Sequence, residues 1–344
     1  MFFAIFEERF ISNENLFIDM KLHQKKLLKL LSMNCRFKNK DLAKSLRVSE
    51  DTINYTKTEF LKNNVFNYSI FFDYRKLGYN SYHLMFSLKD IDDVDFEALK
   101  KIDDVIYINT FVGKFDIQII ILAKDNLNEK IDEIILVLNN NILDKLILKY
   151  EEELKLTHIL PDFNVDVNIP QNQKNLIYNL KDPVILIENY EIGYNLDKKD
   201  LMIIKSLLEN PTKTYLDIQK ETGISRDTIR KKIKKYIEDK FLLSFSIFPN
   251  LKYFNYNTYC LLLNLDNIDK EKLRKFVFQK DYVFYVEIIS NKKNLFFYIW
   301  TKNPSELSSI FKEIKTYFKE ELIDLDFLFY DDYIYQKEFP TSLL

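Results

Sequence analysis

Residues 197–248 carry the sequence DKKDLMIIKSLLENPTKTYLDIQKETGISRDTIRKKIKKYIEDKFLLSFSIF. The stretch opens with Asp197, a residue type that caps helices well because its carboxylate accepts the free amides of the first turn. Leu201, Ile204 and Leu207 follow with helical spacing, and Pro211 marks the end of the helix. The opening of this stretch therefore predicts an amphipathic helix.

The remainder of the stretch predicts three further elements. A short helix is expected at about 215–221, and the turn Thr222-Gly223-Ile224-Ser225 supplies a glycine stop and a serine cap. A third helix is expected to run to about Asp239. Alternating apolar residues at 242–248 then predict a strand of a β-wing. Together these elements predict a winged helix-turn-helix.

The same pattern occurs earlier in the chain. A shift of 176 positions superimposes identical residues: Asp41 and Asp217, Lys44 and Lys220, Ser49 and Ser225, Asp51 and Asp227, Thr52 and Thr228, Ile53 and Ile229. The chain is therefore predicted to be two diverged copies, at about 20–158 and 195–340. Helices of the first copy are expected at 22–32, at 39–45 and up to about residue 63. The turn Leu46-Arg47-Val48-Ser49 lacks the glycine of the second copy.

Each copy continues with alternating strands and helices. In the first copy the order β-α-β-β-α-β is expected at 82–88, 94–102, 105–110, 117–123, 127–139 and 143–156. In the second copy it is expected at 258–265, 270–279, 283–289, 295–301, 305–319 and 322–335. This order predicts a ferredoxin-like domain.

The fold class is thus α+β, with a winged helix-turn-helix and a ferredoxin-like βαββαβ domain occurring twice in tandem. The predicted divisions are an N-terminal extension at 1–19, a first winged helix at 20–74, a first βαββαβ domain at 75–158, a linker at 159–194, a second winged helix at 195–250 and a second βαββαβ domain at 251–344. The linker is rich in Asn and Asp, and its residues 184–187 are a candidate edge strand.

Composition excludes several classes of protein. Only 4 of 344 residues are glycine, and no glycine-rich phosphate loop occurs. Two distant cysteines, Cys35 and Cys260, indicate neither a zinc cluster nor a disulfide framework, which favours a reducing cytoplasm. No apolar run approaches the roughly 20 residues of a membrane span. We expect a cytoplasmic protein with no cofactor, no metal site and no membrane partner.

Winged helices joined to βαββαβ domains resemble the Lrp/AsnC (leucine-responsive, feast/famine) regulators. In the first copy the resemblance rests on Arg36, Asp41-Leu42-Ala43, Val48-Ser49, Thr52-Ile53, Leu77-Gly78 and Gly113-Lys114-Phe115-Asp116. In the second it rests on Asp217-Ile218, Gly223-Ile224-Ser225 and Thr228-Ile229, whereas Asn291-Lys292-Lys293-Asn294 replaces the Gly-x-x-Asp hairpin. Members of the family hold one such unit, so the tandem arrangement departs from the pattern.

The third helix of the second copy is the main DNA-binding candidate. With Ile229 and Ile233 inward, basic side chains face outward, so that an arginine can bind guanine in the major groove and lysines can bind phosphates. Residues 196–240 hold twelve basic and eight acidic residues, although the whole chain has a net charge of −2. The candidate contacts are Ser225, Arg226, Asp227, Thr228, Arg230, Lys231 and Lys234. A solvated charged helix without DNA contacts is the alternative interpretation.

The third helix of the first copy differs because Glu50 and Asp51 open it. These carboxylates repel phosphate, although they suit a helix N-terminus. One interpretation is a second DNA contact with another base preference, and the other is a domain that only packs or dimerises. The candidate contacts are Ser49, Thr52, Asn54, Tyr55 and Lys57.

The family resemblance also implies functions for the β-rich domains. Such domains dimerise through their sheets and sense amino acids near the hairpin, where only Gly113 and Asp116 match. Asp116 is a candidate acceptor for an ammonium group, and both residues are equally interpretable as ordinary hairpin residues. A fused chain is also able to pair its own two βαββαβ domains as an internal pseudo-dimer, and homo-oligomers are a further expectation.

Two alternatives to a regulator remain at this point. Siroheme decarboxylases resemble the same two-domain layout, and in that case His83 and Tyr82 are candidates for binding a tetrapyrrole. The second copy has Cys260 at the position of His83. The other alternative is an interaction adaptor that retains winged helices without binding DNA. Because no H-E-x-x-H, G-x-S-x-G or paired-cysteine motif occurs, we expect no enzyme activity.

Overall fold

The computed structural model describes residues 20–156, 159–170, 193–289 and 294–343. The predictions for the N-terminal extension, for His158, for the strand at 184–187 and for hairpin residues 291–293 therefore lie outside the described residues. Within the described ranges, the predicted helices and strands occur in the predicted order.

Six helices form two three-helix units. The first winged helix comprises α1 (Leu22–Met33), α2 (Asn39–Leu46) and α3 (Glu50–Lys62), and the second comprises α6 (Lys198–Glu209), α7 (Tyr215–Thr222) and α8 (Arg226–Glu238). Ser225 caps the third helix of its unit as predicted, its Oγ accepting from the Thr228 amide at 3.3 Å. Ser49 does the same in the first unit, where its Oγ accepts from the Thr52 amide at 3.0 Å.

The strand predicted for the wing of the second unit pairs with a strand of the first unit. Strand β6 (Leu242–Pro249) forms where expected, but it pairs antiparallel with β1 (Phe66–Phe72), a strand of the first half that the sequence did not predict. Phe66 and Ile70 on β1 and Phe245 on β6 are buried. Because each strand buries apolar side chains over the helices, the two winged helices share one two-stranded sheet.

The other eight strands close into a barrel in the order β10-β3-β4-β2-β5-β8-β9-β7. They are β2 (Asn80–Leu88), β3 (Val105–Gly113), β4 (Ile117–Ala123), β5 (Ile142–Leu156), β7 (Asn257–Leu265), β8 (Val283–Ile289), β9 (Asn294–Thr301) and β10 (Leu322–Gln336). Helices α4 (Phe96–Lys101), α5 (Leu127–Leu138), α9 (Lys270–Phe278) and α10 (Pro304–Tyr317) cover the outside.

Two strands of 15 residues hold the halves of the barrel together. Strand β5 pairs with β2 of its own half as far as Lys149 and with β8 of the other half from Tyr150 onward. Strand β10 likewise pairs with β7 first and with β3 from Leu328 to Gln336. The βαββαβ units of the chain are therefore hydrogen-bonded to each other along both edges.

The start of the predicted linker packs on the body of the protein. Leu160 and Phe163 are buried, and the ring of Phe163 lies 4.8 Å from that of Phe254. Lys29 Nζ on α1 donates to Asn164 Oδ1 at 2.9 Å. Residues 159–169 therefore belong to the folded core of the molecule rather than to a free linker.

Candidate nucleic-acid interface

The second winged helix holds α8 on a compact apolar base. Ile229, Ile233 and Tyr236 are buried beneath the helix, together with Ile204 of α6 and Ile218 of α7. The α7 N-terminus is closed by a reciprocal cap, in which Thr214 Oγ1 accepts from the Asp217 amide while Asp217 accepts from the Thr214 amide. These contacts fix α7 and α8 relative to each other.

One lysine of α8 contacts α6 and so stabilises the three-helix unit. Lys232 Nζ lies 2.9 Å from Asp197 Oδ2 and 2.6 Å from Asp200 Oδ1 on α6, and the Tyr236 hydroxyl donates to Asp200 Oδ1 at 2.5 Å. The hydrogen bond from Lys232 lowers the pKa of Asp197 to about 2. Lys232 therefore docks α8 on α6 and does not belong to the exposed basic face of the helix.

The remaining basic side chains of α8 face solvent. Arg226, Arg230, Lys231 and Lys234 are all exposed. Arg230 is 3.4 Å from Asp227 and Lys234 is 3.3 Å from Glu238, but both are exposed pairs within one helix, which contribute only about 0.3–0.5 kcal/mol each. These side chains are therefore able to exchange their carboxylate partners for phosphate or base acceptors.

A groove beside α8 includes two residues that sequence reasoning missed. It measures about 440 Å³ and is lined by Tyr215, Gln219, Ser225, Arg226, Asp227 and Arg230. Tyr215 and Gln219 lie one turn apart on α7, so their spacing was visible in the sequence. Thr228, by contrast, is half-buried, and its hydroxyl lies 2.9 Å from that of Ser225, which gives it a capping contact.

The first winged helix presents a different surface. Glu50, Asp51, Asn54 and Tyr55 are exposed on α3, with 68% of Tyr55 accessible. Lys57 was expected to point outward but is half-buried. Its Nζ donates to Asn39 Oδ1 at 3.2 Å on α2, Asn39 also donates to Asn54 Oδ1, and burial lowers the pKa of Lys57.

The hairpin residues proposed for effector sensing have structural contacts. Asp116 Oδ2 accepts from the Leu88 amide at 2.7 Å, so one carboxylate oxygen is already engaged. A Cβ at Gly113 would lie 2.7 Å from the carbonyl oxygen of Phe327 on β10, which explains the glycine. Both residues thus have structural contacts within the barrel.

Two general findings bear on the class of site. Within the ranges described above, no cluster of three or more His, Cys, Asp or Glu side chains is arranged to hold a metal ion. No helix among those same residues combines the length and apolar character needed to cross a bilayer.

Comparison with known proteins assigns the second winged helix. A family model for winged helix-turn-helix DNA-binding domains matches residues 196–242. An uncharacterized HTH-type transcriptional regulator of Pyrococcus furiosus is 26% identical over 119 residues, which are 33% of this chain and 79% of the relative. A second such regulator of that organism is 35% identical over 68 residues, which are 20% of this chain and 45% of the relative.

One solved structure matches nearly the whole chain. The crystal structure of the siroheme decarboxylase NirDL has a TM-score of 0.56 and 15% identity, and covers 91% of this chain and 92% of that chain. At this identity the likeness concerns the fold.

The chain therefore contains a winged helix-turn-helix DNA-binding domain. It resembles HTH-type transcription regulators, as the sequence predicted.

Proposed function

We propose that this chain is a sequence-specific transcription regulator of Lrp/AsnC type that binds double-stranded DNA through α8. The proposal rests on one observation, the different environments of the basic residues along this helix. Lys232 is held by Asp197 and Asp200, whereas Arg226, Arg230, Lys231 and Lys234 remain exposed. A rigidly docked helix with an outward basic face has the form required to enter a major groove.

The proposed contacts follow from position along α8. Arg226 and Arg230 lie beside the groove and bind base edges, for which guanine O6 and N7 are suitable acceptors. Lys231 and Lys234 lie on the exposed face and bind phosphates. Ser225, Asp227 and Thr228 contribute to the shape of the helix N-terminus that approaches the duplex.

We further propose that the chain is an internal duplication whose two winged helices have unequal roles. The repeated element order and the shared β1–β6 sheet support one body with two different helix-turn-helix units. The exposed carboxylates of Glu50 and Asp51 make α3 the weaker DNA contact. Its candidate contacts are Ser49, Thr52, Asn54, Tyr55 and Lys57, of which Tyr55 is 68% exposed.

The βαββαβ domains are proposed to supply pairing within the chain. Their hydrogen bonds along β5–β8 and β3–β10 support an intramolecular counterpart of a dimer. An amino-acid effector near Gly113 and Asp116 is a weaker proposal, because the Asp116 carboxylate already holds the Leu88 amide. Isothermal titration with free amino acids tests it directly: heat that disappears in Asp116→Asn supports an effector site, and absence of heat contradicts it.

Selection of bound duplexes from a random pool tests the main proposal. The wild-type chain should enrich a defined sequence, and the double variant Arg226→Ala/Arg230→Ala should lose that preference. Lys312→Ala/Lys315→Ala is the matched control, because it removes two exposed positive charges from α10, away from the winged helices. Retention on DNA should fall steeply with salt if several phosphates are contacted. An adaptor that does not bind DNA shows neither enrichment nor salt-dependent retention.

A second candidate function is favoured by the whole-chain similarity to a siroheme decarboxylase. The residues suggested for it do not fit readily, because His83 and Tyr82 lie on opposite faces of β2. His83 is buried inside the barrel, with Gln118 Nε2 2.9 Å from its Nδ1 and Glu287 Oε1 3.2 Å from its Nε2. Addition of an iron-uroporphyrin to the purified chain tests this candidate. A Soret shift that is lost in His83→Ala would favour the enzyme over the regulator.

A further inference from the structure

One side chain of the first winged helix reaches into the second. Arg36 lies between α1 and α2, and its Nη1 donates to the carbonyl oxygen of Pro211. Its guanidinium carbon lies 5.6 Å from the ring centroid of Tyr215 and 4.9 Å from that of Phe245. All three of these partners belong to the second half of the chain.

The environment of Arg36 is unusual for a cation. Burial lowers its pKa, and within the described parts of the chain no carboxylate lies in salt-bridge range of its guanidinium. A carbonyl oxygen and two aromatic faces satisfy it instead, each of which binds guanidinium less strongly than a carboxylate does. Arg36 is half-buried, so its guanidinium is partly removed from water without a carboxylate partner, which costs free energy.

The contacts of Arg36 fall on the segment that starts α7. Pro211 lies three residues before Thr214, the cap of α7, and Tyr215 is the first residue of that helix. Tyr215 also lines the groove that contains Arg226 and Arg230. Arg36 is thereby connected, through one aromatic ring, to the wall of the proposed base-reading groove.

Arg36 of the first winged helix contacts the second, whereas its equivalent in the second winged helix bonds within its own turn. In the 176-residue shift, the position of Arg36 corresponds to Thr212. The Thr212 hydroxyl donates to Asn210 Oδ1 at 2.7 Å within its own turn, so it does not return the contact. The neighbouring backbone joins the two units as well, since the Cys35 amide donates to the carbonyl of Phe245 at 3.0 Å.

We infer that Arg36 is a positioning residue for sequence recognition by α8. It holds the start of α7 and the Tyr215 ring, so the first winged helix braces the base-reading groove of the second without itself touching the bases that α8 reads. This inference rests on the proposed DNA-binding function. It explains how α3 can present carboxylates while its domain still contributes to specificity.

The test compares the affinity of the full chain for two duplexes, the sequence selected by the wild type and a scrambled duplex of equal length and composition. Arg36→Met keeps an unbranched apolar side chain and removes the guanidinium. We expect the ratio of the two affinities to fall at least tenfold, with an unchanged slope of log affinity against log salt. Arg36→Lys retains a donor and a cation and should restore most of the ratio.

Each other outcome is decisive. A ratio within twofold of wild type in Arg36→Met overturns the brace while leaving the DNA-binding function intact. A salt slope reduced by about one unit would instead make Arg36 a phosphate ligand and also overturns it. If Arg36→Met does not fold, Tyr215→Leu replaces it, and a ratio unchanged from wild type in that variant overturns the inference. A wild type without sequence preference overturns the brace and the proposed function together.

Discussion

Arg47 and Gly223 occupy equivalent positions in the two helix-turn-helix units, and both have the left-handed backbone conformation, with φ of 56° and 70°. Each follows the last residue of a short helix, and each donates its amide to a carbonyl four residues earlier, Ala43 for Arg47 and Gln219 for Gly223. Glycine adopts this conformation freely, whereas a residue with a Cβ is disfavoured there.

This difference predicts opposite effects of exchanging the two residue types. Arg47→Gly should increase the free energy of unfolding by about 0.5–1 kcal/mol, because it removes the Cβ penalty at an exposed site. Gly223→Ala should decrease it by about 1 kcal/mol, since nothing lies within 4 Å of the added Cβ and only the backbone term changes. Urea unfolding of both variants measures the effects. Destabilisation by Arg47→Gly would contradict the backbone explanation.

A larger effect is expected at Gly113 because two penalties combine there. Its φ is +153°, and an added Cβ would lie 2.7 Å from the Phe327 carbonyl oxygen. Gly113→Ala should therefore destabilise the chain by roughly 2–3 kcal/mol, more than Gly223→Ala, because β10 must move away from β3. Urea unfolding of the two alanine variants side by side makes the comparison. Equal losses of unfolding free energy in the two variants would mean that β10 moves away from β3 without a cost in free energy.

Two neighbouring lysines of α8 should have opposite phenotypes. Lys232→Met breaks the pairing with Asp197 and Asp200 and should lower the free energy of unfolding by about 1–3 kcal/mol. Lys231→Met removes an exposed cation, so its effect on stability should stay within about 0.5 kcal/mol. The affinity of Lys231→Met for DNA should fall for all sequences, and the slope of log affinity against log salt should be reduced by about one unit. Thermal unfolding and salt titrations separate the two, and a stability loss in Lys231→Met would contradict this assignment.

Stability should fall as the pH rises from about 4.5 to 7. Burial raises the pKa of Glu338 from 4.5 to about 7, so the folded chain holds a proton that the unfolded chain releases across this window. The Ser69 hydroxyl, 3.5 Å from its Oε1, offsets only part of the burial. Glu153 shifts in the same direction, to about 7, through burial and the nearby charge of Glu287.

Replacement of Glu338 isolates its share of this dependence. In Glu338→Gln, the decrease in unfolding free energy with rising pH should be about 1–2 kcal/mol smaller than in the wild type, a range that allows for partial solvent screening. Urea unfolding at pH 5 and pH 7.5 measures the difference, with the exposed Glu320→Gln as the matched control. A pH dependence identical in the Glu338 variant and the wild type would show that its carboxyl does not carry the linkage.

Local patterns were sufficient for most of the secondary structure and for the exposed face of α8. The serine caps and the inward isoleucines act within one helix turn, so the sequence carries them directly. Strand β1 was missed because its pairing partner, β6, lies at least 170 positions away in the chain. The outward position expected for Lys57 was wrong for a related reason, since its Nζ is held by Asn39 of another helix.

The sequence alone determined the identity and order of most helices and strands, because capping, periodicity and turn chemistry are properties of neighbouring residues. Only the tertiary structure decided that β1 pairs with β6, that β5 and β10 cross between the two halves of the barrel, and that Arg36 contacts Pro211 and Tyr215. These relationships join residues far apart in the chain. Their free energy depends on which apolar faces and unpaired backbone groups meet when the two halves pack together, and no local pattern specifies that choice.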